Sequence, residues 1–101
     1  MHKRKFRTLD AYEIEHYKKH PEELKIYIDV ALEEYQRDGD ENAFLSALAI
    51  AAKVSGGYSR VSKASGLNRE NLYRALSEKS DPRLSTIVKL MHSLGLSLKV
   101  A

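Results

Sequence analysis

Arg69, Glu70, Asn71, Tyr73 and Arg74 stand close together in the run RENLYR, and their types match what base-pair edges offer. An arginine forks onto guanine O6 and N7, a glutamate accepts from cytosine N4, and an asparagine pairs with adenine. Leu72, Ala75 and Leu76 recur among them at helical spacing, so the apolar set faces a core and the polar set, continued by Ser77, faces out. Upstream, Tyr58, Ser59, Arg60 and Lys63 belong to a second short helical pattern, whose Val61 and Ala64 share one side with Tyr58. Gly66 between the two patterns is the residue type that reaches φ > 0 without a Cβ clash. Leu67 then plugs the corner, and Asn68 caps the next helix by accepting from an early backbone N–H. Two short helices in this order make a helix-turn-helix over 58–77, the second helix lying in the major groove while the first crosses the backbone. The same pattern fits a plain helical corner with a solvated polar face, so the surrounding charge bears on the choice.

The chain has 101 residues, with 17 Lys plus Arg against 14 Asp plus Glu and a net charge of +3. The distribution is uneven. Residues 1–7 carry four bases and no acid, residues 8–57 carry five bases and eleven acids, and residues 58–101 carry eight bases and three acids. A basic carboxyl half that contains the two-helix motif is drawn to phosphate, with affinity that falls steeply as salt rises. An acidic amino half is repelled from DNA and suits a basic protein partner.

Other chemistry finds little support. There is no cysteine, hence no disulfide or thiolate metal site. Gly56-Gly57 lacks the Lys-Ser/Thr of a phosphate loop and reads as a helix break. His16 and His20, spaced i and i+4 with Glu13 nearby, lack the catalytic glutamate pattern between them and are followed by Pro21, so no metal site and no cofactor are expected. No nucleophile or paired-carboxylate arrangement stands out, and a non-enzymatic protein is expected. No apolar run approaches a bilayer span, and no secretory segment opens the chain, so the expected place is the cytoplasm, away from membranes.

The elements that must position the motif follow from periodicity. Residues 1–20 read as a basic arm and lead-in: MHKRK either touches phosphate or is inert, and a short helix or irregular stretch around Leu9 to Tyr17 ends before Pro21. Residues 21–101 read as the helix-turn-helix DNA-binding domain. Its first helix starts at Pro21 with Glu22 and Glu23 in the first turn and buries Leu24, Tyr27, Ile28, Ala31, Leu32 and Tyr35 before Gly39. Asp40 caps the next, which turns Phe44, Leu45, Leu48, Ala49 and Ala52 inward. Ile26 and Val30, and likewise Ile50 and Val54, fall outside these stripes: either scattered apolar residues or, if clustered, a protein interface. A last helix buries Leu84, Ile87, Val88, Met91 and Leu94 and stops at Gly95. The alternating tail Leu96-Ser97-Leu98-Lys99-Val100 reads as a strand that pairs with Phe6–Leu9 or with its own copy across a two-fold axis. The fold class expected is all-α: a five-helix domain with an amino-terminal extension and a short C-terminal strand.

Three runs, YIDVALEEYQRDGDENAFLSAL at 27–48, SGLNRENLYRALSEKSDP at 65–82 and LSTIVKLMHSLGLSL at 84–98, together resemble the HigA-like addiction-module antidote proteins, Xre-type regulators with a lambda-repressor-like fold. The resemblance covers Pro21 to Val100. It implies an antitoxin of a type II module that neutralises a small basic RelE/ParE-type toxin and, as a homodimer, represses its own operon on double-stranded operator DNA. It places Asn68, Arg69, Glu70, Asn71, Tyr73 and Arg74 on the DNA-reading helix, and Ser59, Arg60 and Lys63 on the helix before it, where Tyr58 is a further candidate DNA contact. Glu22, Glu23, Asp29, Glu33 and Glu34 in the acidic half are the expected toxin contacts. The chain departs from the family at Ser62, where Ala is usual, and at Ser65, where an apolar residue is usual; looser packing is expected there. Its second helix is also less basic than the family's. The competing function is a solitary phage-type repressor without a toxin, and a third is an interaction protein that has lost DNA affinity. A small basic reading frame beside the gene separates the first two.

Overall fold

The computed structural model describes the backbone of residues 2–77 and 80–98, with side chains from residue 11 onward in those ranges. Six helices lie among the described residues: α1 (His2–Lys19), α2 (Pro21–Asp38), α3 (Glu41–Val54), α4 (Tyr58–Ser65), α5 (Arg69–Ala75) and α6 (Leu84–Ser93). The boundaries follow local chemistry. Pro21 sits in the first turn of α2, where its missing N–H has no partner to lose. Gly39 closes that helix at φ 77°, its N–H donating to the Tyr35 carbonyl over 2.8 Å. The Asp40 carboxylate then accepts from the Asn42 N–H at 3.0 Å and starts α3.

α3 is the central helix, packed against α1, α2 and α4. Phe44, Leu45, Ala47, Leu48, Ile50, Ala51 and Ala52 are all buried along it. A helix covered on several sides needs apolar residues around most of its circumference. Ile50 therefore belongs to the core, and Val54 packs against its edge, so the pair that stood outside the expected stripe is no interface. α2 buries Leu24, Ile28 and Ala31 and lays Tyr27, Leu32 and Tyr35 over the core margin, with Tyr35 and Phe44 stacked at 6.0 Å.

Three expectations change. The lead-in is a continuous helix from His2, docked on α2 and α3 rather than a short or irregular stretch, and the Tyr17 and Tyr27 rings stack at 5.7 Å across the junction. The described part of the tail, Leu96–Leu98, carries no strand; Lys99–Ala101 lie outside the described residues. Phe6–Leu9, one suggested pairing partner, is helical, and Leu96 instead donates its N–H to the Met91 carbonyl at 2.8 Å, folding the chain back over the end of α6. On α6 the buried set is Ile87, Leu90 and Met91, whereas Leu84 and Val88 are 70% and 47% exposed. Apolar residues ring too much of α6 for one face to bury, and its contact with α4 chooses which side goes in.

Candidate nucleic-acid interface

The α4–turn–α5 unit is built by short-range bonds. Gly66 holds φ 80° and donates its N–H to the Ser62 carbonyl at 3.0 Å, ending α4. The Ser62 hydroxyl donates to the Leu67 carbonyl, and the Ser65 hydroxyl accepts from the Leu67 N–H at 3.2 Å. Far from loosening the turn, the two serines satisfy both backbone groups of Leu67, whose side chain packs on the core as the corner plug. Asn68 Oδ1 accepts from the Asn71 N–H at 2.7 Å and starts α5. Because that oxygen serves the cap, Asn68 positions the helix.

Leu72 is fully buried, and Ala75 and Leu76 are nearly so; this anchors one side of α5 and forces the other outward. At the outermost position stand Glu70 and Arg74, one turn apart and joined by a 3.0 Å ion pair, both exposed. Arg69 and Tyr73 lean to one flank. The Arg69 guanidinium lies 6.0 Å from the Tyr73 ring centre, and the Tyr73 ring meets that of Tyr58 at 4.5 Å. Tyr58, Ser59, Arg69 and Tyr73 thus line one groove, and Lys53 of α3 joins them there. Asn71 and Arg74 line the opposite flank, an open cleft of about 610 Å³ shared with Ser80, Asp81, Arg83 and Thr86.

The remaining candidates are placed differently. Lys63 is exposed one turn beyond Ser59 on α4. Arg60 turns away: it lines a groove with Gly56, Ala64, Ser93 and Leu94, and its side chain lies over Gly56. Ala64, which shares a side with Val61 by spacing, is exposed there, since Val61 alone of α4 is buried. Lys53 and Arg83 were missed by sequence reasoning. Each is the basic residue beside a helix boundary that flanks the motif, at the end of α3 and just before α6, and that proximity was the available signal.

The acidic candidates Glu22, Glu23, Asp29, Glu33 and Glu34 are all exposed on α2. Glu23 also bridges back across the α1–α2 break. His16 Nε2 lies 2.9 Å from its carboxylate, and His20 Nδ1 stands 3.7 Å from Glu23 and 3.8 Å from Glu22. The bond from His16 holds the Glu23 carboxyl below its ordinary range. Burial first, then the Glu13 and Glu23 carboxylates, hold the Tyr17 phenol above its own. Among the described residues no helix is long and apolar enough to cross a membrane.

The family model described as "Probable addiction module antidote protein" matches residues 8–101. An uncharacterized protein of Haemophilus influenzae is 35% identical over 79 residues, spanning 78% of this chain and 76% of its own. No solved structure matches the chain. A match over nearly the whole length, together with a relative aligned over more than three quarters of each chain, means that the chain belongs to the family of probable addiction module antidote proteins.

Proposed function

We propose that the chain is the antitoxin of a type II toxin–antitoxin module. It binds and neutralises a small basic RelE/ParE-type toxin, and as a homodimer it represses its own operon by inserting α5 into the major groove of operator DNA. Membership of the antidote family supports the first role. The observation that carries the second is the outward face of α5, where Arg69, Glu70, Tyr73 and Arg74 project opposite the buried Leu72 and Ala75. Two such helices spaced ~34 Å apart meet successive major grooves, and this duplication gives the specificity that one short helix lacks. In this role Glu70 holds the Arg74 guanidinium in place until a base or phosphate takes it, and the Tyr58–Tyr73 contact fixes the flank from which Arg69 reaches. Ser59, Lys63 and Lys53 stand where the DNA backbone passes, with Arg83 on the other flank.

The test is binding of the purified protein to its own promoter fragment and to random DNA as salt is raised. The promoter fragment is expected to bind tighter, and Arg69→Ala or Arg74→Ala to lose about 1–3 kcal/mol and relax base preference. Equal affinity for both DNAs at low salt overturns DNA reading. Growth rescue on co-expression with a small basic reading frame beside the gene tests the antitoxin role and separates it from a solitary repressor.

A further inference from the structure

We propose that the outward face of α2, centred on Ile26 and Val30, is the docking surface for the basic toxin, which receives it in an apolar cleft rimmed by Lys and Arg. This rests on the antitoxin reading and adds the anchor that the acidic residues alone do not provide.

Ile26 is 61% exposed and Val30 48%, one turn apart on the side of α2 opposite the buried Leu24, Ile28 and Ala31. The corresponding i, i+4 pair on α3 is used by the fold, Ile50 in the core and Val54 against its edge, whereas α2 keeps a pair that its own fold leaves uncovered. Helical spacing puts Glu22, Asp29 and Glu33 along one border of the pair and Glu23 and Glu34 along the other. In all, α2 carries six acids and two bases. An apolar centre within a charged border is the anatomy of a protein interface: the border steers encounter, and the desolvated centre sets how long the complex lasts.

Charge decides the occupant. DNA phosphate is repelled by the five carboxylates along the two borders, which outnumber the Arg37 that follows the pair at the end of α2. A second copy docked by the same face across a two-fold axis meets the same acids, like against like. A copy docked by its own basic face makes a contact that does not close on itself. A basic protein satisfies both the ring and its apolar centre.

The test uses the small basic protein encoded beside the gene, its affinity for wild-type chain measured against Ile26→Ser/Val30→Ser. The double variant is expected to bind roughly 100-fold more weakly, mainly through faster dissociation, with unchanged thermal melting and promoter binding. Ile26→Lys alone, a like charge set against the basic partner at an exposed position, is expected to give the same loss. Neutralising Glu22, Asp29 and Glu33 together is expected to slow association and flatten its salt dependence. If wild type binds the basic protein and the variants bind within about threefold of it, the surface assignment is wrong while the antitoxin reading stands. If the variants change the oligomeric state and leave this affinity intact, the stripe is a self-contact and the proposal fails. If wild type does not bind the basic protein at all, both readings fall.

Discussion

Single side chains explain how the turn accommodates Ser62 and Ser65. Ser62 and Ser65 replace packing atoms by hydrogen bonds to Leu67, so a turn that looked weaker from its residue types is pinned at both of that residue's backbone groups. The Asn68 cap was legible in the sequence because capping spans only three positions. The bond between His16 and Glu23 was not, since it crosses a helix break whose angle no local pattern fixes. It has a pH signature. Glu23 titrates lower in the folded chain than its ordinary value, so its contribution to stability is complete above the glutamate range and is lost as pH falls through the depressed folded value. Glu23→Gln is expected to lower the melting temperature slightly near neutral pH, with the difference from wild type shrinking as the scan moves from about pH 6 toward pH 3. A difference that grows with acidity contradicts the assignment. The effect is small because both groups are exposed.

At the scale of elements, helix ends were readable and helix faces less so. Pro21, Gly39, Asp40, Gly66 and Asn68 all act where their types place them. Gly66 is the sharpest case. At φ 80° an added Cβ meets no neighbour within 4 Å, so the penalty for a side chain there is backbone strain alone. Gly66→Ala is expected to cost about 1–2 kcal/mol, read as a shift in denaturant midpoint, with the m-value unchanged. A neutral result means that the turn relaxes to another conformation. The face of α6 was misjudged because Leu84, Ile87, Val88, Leu90, Met91 and Leu94 satisfy two overlapping helical stripes. Periodicity alone does not choose between them. Helix α1 was under-read for a related reason: a charged run with few apolar anchors gains its helical state from docking on α2 and α3, as most helices in proteins do.

The whole molecule carries two unlike faces. α2 presents carboxylates around an apolar pair, and α5 with its flanks presents arginines and a lysine. In the proposed function the first face takes the basic protein and the second the operator, so the two partners would not compete for one surface. A second exposed apolar pair, Leu84 and Val88 on α6, has Arg83 and Lys89 beside it and no ring of acids. It is the face best suited to self-association in the proposed homodimer. Leu84→Asp with Val88→Asp is expected to convert the dimer to monomer in sedimentation while the fold persists. Promoter affinity should then drop on the order of 100-fold, because the second half-site no longer gains from the first. A dimer that survives the change places the two-fold contact elsewhere.

From its sequence alone the chain determined the starts of the helices after α1, the turn between Ser65 and Asn68, the separation of charge into an acidic and a basic half, and the polar set on α5. These depend on residues within a turn of one another or on composition, and both are properties of the chain before it folds. Only the tertiary structure decided that Ile50 is core while Ile26 is surface, that Leu84 and Val88 are left outside, and that Arg60 parts from Arg69 while Lys53 and Arg83 join the flanks of α5. Those outcomes follow from which helices meet at which angle, and residues far apart in the chain settle that together when they close one core around α3.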